Sequence, residues 1–162
     1  MVGCVSQTDA DVRCCFVAEN KETSVSVIRF EQNPLIRPAD VKPSREDFEV
    51  VCVFNAGAVR CGDEIVLLLR VAERPLKEAG EVVAPILHPD DISQGIQTLR
   101  VRKGDPDLNE VDSRVFRYKG GTYLTSISHM RVARSKDGRR FTIDPAPTVL
   151  PARREEEFGI ED

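Results

Sequence analysis

Apolar residues along this chain cluster in short runs or alternate with polar ones, and the spacing is mostly that of strands. Residues 49–59 (EVVCVFNAGAV) and 64–71 (EIVLLLRV) are rich in β-branched and aliphatic side chains. Arg60-Cys61-Gly62-Asp63 lies between them as a Gly-bearing turn, so the pair predicts an antiparallel hairpin. The nearly unbroken apolar run 65–69 predicts an inner strand buried on both faces. A second hairpin is expected from 113–119 (SRVFRYK) and 122–128 (TYLTSIS) about a Gly120-Gly121 turn. A third unit spans 130–143 (MRVARSKDGRRFTI), with Lys136-Asp137-Gly138 as its turn.

Little of the chain carries helical periodicity. Residues 77–83 and 90–97 are the segments that read as short helix or loop. Repeated hairpins with Gly-bearing turns define an all-β class, as a sandwich, a barrel or a propeller, and periodicity does not choose among them. The first 27 residues differ from the rest: they carry three of the cysteines and no period, and they read as an irregular lead, either disordered or an upstream segment foreign to the fold. Pro34, Pro38 and Pro43 then mark an extended approach to the first strand.

Composition narrows the function classes. With 31% charged and 41% apolar residues the chain reads as soluble and globular. A net charge of -4 lacks the basic footprint of a non-specific nucleic-acid binder, despite the arginines and lysine of 131–140. No apolar run approaches the roughly 20 residues that span a bilayer. The acids Asp9 and Asp11 do not fit a signal peptide, so no membrane partner and a cytoplasmic setting are expected. The five cysteines (Cys4, Cys14, Cys15, Cys52, Cys61) contain no CxxC pair, and neither a zinc site nor a catalytic thiol is supported. A disulfide across the hairpin between Cys52 and Cys61 competes with free thiols, which a reducing compartment favours.

The chemistry concentrates in 54–75 (FNAGAVRCGDEIVLLLRVAERP). Asn55 precedes a small-residue patch, Ala56-Gly57-Ala58, of the kind that lets a ligand or another backbone come close. Arg70 closes a strongly apolar strand, where a guanidinium needs a carboxylate, a phosphate or sugar hydroxyls. A structural ion pair with Glu73 or another acid is the simpler account of that arginine. His129 is read either as a substrate contact or, more simply, as a satisfied hydrogen-bonding histidine. His88 reads as loop. Tyr118 and Tyr123 offer a stacking surface for sugar rings or plain cross-strand packing.

Asn33-Pro34-Leu35-Ile36, then Val53-Phe54-Asn55-Ala56-Gly57 and Leu67-Leu68-Leu69-Arg70, resemble the opening of glycoside hydrolase family 130. SHMRVARSKDGRRF at 128–141 and the closing Gly159-Ile160-Glu161-Asp162 extend the resemblance over residues 28–162. It implies a five-bladed β-propeller with a central site, of which this chain holds the N-terminal part, about two blades. It also implies inverting cleavage of β-mannosides by phosphorolysis or hydrolysis. The family's acid falls on Asp162, with Glu161 beside it among the substrate contacts, and the sugar-binding asparagine and arginine fall on Asn55 and Arg70.

Asp112 imitates the acid motif in Asp112-Ser113-Arg114 and is the second acid to weigh, against a plain loop-capping role. The Pro-Arg that completes the family motif is absent because the chain stops at Asp162, so the isolated chain is expected to lack full activity. No cofactor or metal is expected, only inorganic phosphate as co-substrate if the enzyme is a phosphorylase. The expected partner is a β-mannoside oligosaccharide, and a homo-oligomer is compatible with the sequence. A non-catalytic glycan-binding or scaffold fragment is the alternative from another class. A propeller glycosidase for another sugar, such as an arabinoside or fructoside, is the third.

Overall fold

The computed structural model describes residues 28–88 and 91–160. The lead at 1–27, with Cys4, Cys14 and Cys15, and the terminal pair Glu161 and Asp162 lie outside the described residues. Among the described residues nine strands follow one another: β1 (Phe48–Cys61), β2 (Glu64–Pro75), β3 (Glu81–Leu87), β4 (Ile96–Arg102), β5 (Leu108–Glu110), β6 (Val115–Tyr118), β7 (Gly121–Leu124), β8 (Ile127–Ser135) and β9 (Thr142–Ile143). Three short 3₁₀ turns, Pro38–Asp40, Ile92–Gln94 and Arg154–Glu156, are the other regular elements described. Of the two segments expected to hold short helix or loop, 77–80 is loop and turn before β3 begins at Glu81, and 92–94 is a 3₁₀ turn ahead of β4, which begins at Ile96.

The strands form a four-stranded antiparallel sheet in the order β1-β2-β8-β9, a β3-β4 pair and a β5-β6-β7 sheet. The first expected hairpin is present, with Gly62-Asp63 as its turn, since Cys61 pairs with Glu64. The second is present with its turn displaced by one residue. Tyr118 pairs with Gly121, so Lys119 and Gly120 make the turn. Both have positive φ, 47° and 82°. A two-residue turn that matches strand twist demands that combination, which Gly120 adopts freely and Lys119 adopts at a cost.

Residues 122–128 do not form one strand. The chain breaks after Leu124, and Ile127 begins β8, which crosses back to pair with β2 from Ile65↔Ser135 to Glu73↔Ile127. β2 is therefore an inner strand, as its composition suggests, but it is not buried on both faces throughout. Leu68 remains 39% exposed, while Leu69 and Val71 are buried. The odd-numbered β2 residues face a core of Val41, Leu69, Val71 and Ala133, with Ile36, Val53 and Leu67 packed around it. A second core, Val82, Ala84, Val101 and Phe116, joins the β3-β4 pair to the small sheet. There Phe116 and Tyr123 stack at 5.5 Å between centroids, so Tyr123 serves cross-strand packing. Tyr118 Oη lies 3.4 Å from Asp105 Oδ2 and its ring carries the Lys119 ammonium at 5.2 Å.

Both described cysteines, Cys52 and Cys61, are free and exposed. They belong to the same strand, β1, so they cannot face each other across its hairpin, and the disulfide reading falls. Among the described residues, no helix is long and apolar enough to cross a membrane. Two arginines of 131–140 are engaged within the fold: Arg131 is buried and Arg134 Nη1 meets Asp144 Oδ1 at 2.7 Å.

Candidate active site

Asn55 and Arg70 meet where β1 departs from regular pairing. Phe54 pairs with Arg70 and Gly57 with Leu68, so Asn55 and Ala56 together stand opposite Leu69 alone. Two residues against one is a β-bulge, which bends the strand and re-aims its side chains. Asn55 takes φ 49°, a left-handed conformation that asparagine tolerates better than most residues. The small residues after it leave room at this kink. The Arg70 guanidinium lies over the Phe54 ring, 4.8 Å from its centroid, a cation–π contact that fixes the planar fork beside the bulge.

Cross-strand register places Phe54, Arg70, Ala72, Met130 and Ser128 on one face of the large sheet, because paired residues share a face and the alternation has period two. The segment carrying the closing motif reaches that sheet. After β8 the chain runs down the outer edge of that strand: Asp144 N donates to Val132 O, Met130 N to Val149 O, and Ile160 N to Ser128 O at 3.0 Å. Ser128 Oγ donates in return to Ile160 O at 2.8 Å. Ser128 stands opposite Ala72, two residues along β2 from Arg70. Asn55, Arg70 and the stem of the closing motif are thus brought to one region of one sheet. Glu161 and Asp162, next in the chain, are outside the described residues.

His129 goes elsewhere. It pairs with Val71, so it lies on the opposite face from Arg70. Only 2% of it is exposed, and its Nε2 lies 3.0 Å from Glu73 Oε1. A sugar contact by this side chain is replaced by a buried structural bond. Glu73, 1% exposed, also accepts the Ser44 amide at 2.9 Å and the Ser44 hydroxyl, and has Arg131 Nη2 at 3.9 Å. Arg131 is fully buried and donates through Nη1 to Lys42 O at 2.7 Å.

Burial alone would raise the Glu73 carboxyl, but the hydrogen bonds from His129 and Ser44 outweigh it and hold the group below its ordinary range. Desolvation lowers the Arg131 guanidinium, opposed by the charges of Glu73 and Asp144. The acid expected to pair with Arg70 is therefore engaged by Ser44, His129 and Arg131, behind the sheet. Sequence reasoning passed over Ser44, Arg131 and Ser128. The available signal was a charged pair, Glu73 and Arg131, set in otherwise apolar strands.

Asp112 caps its own loop. Its Oδ1 accepts the amides of Arg114 at 2.6 Å and Val115 at 3.0 Å, and Arg114 Nη2 stands 3.7 Å from Oδ2. The Arg114 amide is the main cause that holds its carboxyl below the usual value, reinforced by the Val115 amide. From the β5–β6 loop it borders a cleft of 340 Å³ shared with Arg74, Lys77 and Lys103, and Arg70 is not among the residues lining that cleft. These contacts are those of a loop cap. Among the described residues no cluster of His, Cys, Asp and Glu suits a metal ion.

The large sheet thus brings together a bulge-borne asparagine, a ring-stacked arginine and the docked segment around Ile160, polar groups of the kind that can hold sugar hydroxyls. No protein-family model matches the sequence. The β-1,2-mannobiose phosphorylase of Listeria innocua is 43% identical over 143 residues, which are 85% of this chain and 40% of that enzyme. Its solved structure with β-1,2-mannobiose superposes with a TM-score of 0.71 at 42% identity, over 83% of this chain and 39% of that one. The chain is therefore related to the β-mannoside phosphorylases of glycoside hydrolase family 130, and its sheets correspond to part of such a propeller-type enzyme.

Proposed function

We propose that this chain supplies part of the active site of an inverting β-mannoside phosphorylase. The observation that carries the reading is 43% identity across 143 residues to an enzyme named for phosphorolysis of β-1,2-mannobiose. The geometry supports it, because the bulge at Asn55, the guanidinium of Arg70 and the stem of the closing motif lie together on one sheet. Asn55 and Arg70 hold hydroxyls of the reacting mannosyl unit, which fixes its anomeric carbon for attack. Asp162 is the general acid and delivers its proton to the glycosidic oxygen through a sugar hydroxyl. Inorganic phosphate, the co-substrate, attacks the anomeric carbon from the opposite face as the bond to the leaving sugar breaks. The products are α-mannosyl phosphate and a shortened sugar, and no other cofactor takes part.

The test is incubation of the complete protein with β-1,2-mannobiose, with and without phosphate, followed by product analysis. Mannosyl phosphate that forms only when phosphate is present is the expected result. Free mannose released at the same rate without phosphate would replace the phosphorylase with a hydrolase. Binding without turnover in either buffer would replace the enzyme with a glycan-binding module.

A further inference from the structure

We infer that Ser128 is a positioning residue for the general acid, acting as a latch on the segment that bears it; this rests on the assignment of the acid to Asp162 made above. Ser128 is 4% exposed and directs its carbonyl and its hydroxyl to one residue, Ile160. Its carbonyl accepts the Ile160 amide at 3.0 Å, and its hydroxyl donates to the Ile160 carbonyl at 2.8 Å. The second bond uses a side chain where an edge strand would ordinarily use backbone, so it depends on the identity of the residue at 128.

Gly159 makes the approach possible. A Cβ there would lie 2.5 Å from both the Ser128 amide nitrogen and its Oγ, and φ is 107°, which side-chain-bearing residues rarely adopt. Only a glycine lets the chain come this close to β8. Since the amide nitrogen cannot swing aside as a flexible side chain could, the contact sets the position of Ile160 against the strand. The chain has two residues between that fixed point and the carboxyl of Asp162, counting Asp162 itself. A general acid displaced by even about 1 Å loses much of its rate advantage, so holding the stem is a direct lever on turnover.

The experiment combines hydrogen exchange with kinetics on the complete protein. Ser128→Ala is expected to speed amide exchange in the peptide that contains Ile160 while β8 stays protected. It should lower kcat by roughly ten-fold, the scale of one lost hydrogen bond, with KM for the mannoside within about two-fold. Ser128→Thr keeps the hydroxyl and should restore both readouts. Gly159→Ala should reproduce the loss through the opposite cause, displacement by the new Cβ. Wild-type exchange at Ile160 in Ser128→Ala, or faster exchange with unchanged kcat, overturns the latch. Asp162→Asn in the same assay separates the two claims. If it is inactive while Ser128→Ala is unimpaired, the acid stands and only the latch fails. If it keeps the wild-type rate, or the wild type turns over no mannoside, the reading of the acid fails and the latch with it.

Discussion

Glu73 and His129 meet across β2 and β8 at 3.0 Å, behind the sheet face that presents Arg70. With Ser44 and Arg131 they tie the segment before β1 to the two central strands. The network is a structural clamp for the candidate site, since any shift of β2 against β8 would move Arg70 relative to Ser128.

Removing the carboxylate from this clamp should be costly. Glu73→Ala takes the counter-charge from the buried Arg131 guanidinium and the hydrogen-bond partner from the His129 imidazole, a type of change that costs about 3–5 kcal/mol. The expected outcome is a matching drop in unfolding free energy by urea denaturation. A loss below about 1 kcal/mol would show that the pair contributes little.

The same clamp predicts an acid limit. The folded-state Glu73 carboxyl lies below its ordinary value of 4.5, so the unfolded chain takes up its proton first as pH falls. The contribution is complete above the unfolded value and disappears as pH drops through the lower folded one. Stability should therefore decline below about pH 4.5, and Glu73→Gln should flatten part of that decline. An unaltered acid profile in Glu73→Gln would contradict it.

Asp137 provides a second titration, local to a turn. Its Oδ1 accepts the amides of Arg139 and Arg140 at 2.8 and 2.9 Å and the Ser135 hydroxyl at 2.9 Å. Backbone amides, that of Arg140 foremost, lower its carboxyl from 3.8 to about 2. The turn should hold from neutral pH down through 3.8 and loosen as pH approaches 2. Carboxyl NMR shifts that titrate near the ordinary value would refute the bonding pattern.

At the bulge, backbone and side-chain roles can be separated. Asn55 at φ 49° should accept Gly with little change in stability, while Val there should cost about 1–2 kcal/mol. Both should weaken mannoside binding if the amide group holds a sugar hydroxyl. Asn55→Gly with full affinity, measured by calorimetry, would leave Asn55 only a conformational role.

Phe54 should influence affinity through Arg70. Phe54→Leu keeps an apolar residue but removes the ring under the guanidinium, a contact worth about 0.5–1 kcal/mol at exposed sites. A rise in KM of roughly two- to five-fold is expected, with kcat nearly unchanged. A KM at the wild-type level would mean that the ring does not orient Arg70.

Sequence alone was enough for the all-β class, for the β1–β2 hairpin and for the kinship carried by Phe54 to Gly57 and Leu67 to Arg70. Alternation, turn chemistry and motif order are local properties, readable without partners. It placed the second turn one residue late, because Gly120-Gly121 looks permissive while register alone puts Lys119 in the turn. It also read 122–128 as one strand, since nothing local reveals that β8 leaves its neighbour to pair with β2. Only the tertiary structure decided which faces Arg70 and His129 occupy, that Glu73 belongs to His129 and Arg131, and that Ile160 docks on Ser128. Each depends on pairing between residues dozens of positions apart, where a shift of one residue turns every side chain to the other face. A sequence pattern gives period but not partner, and the partner determines which groups meet.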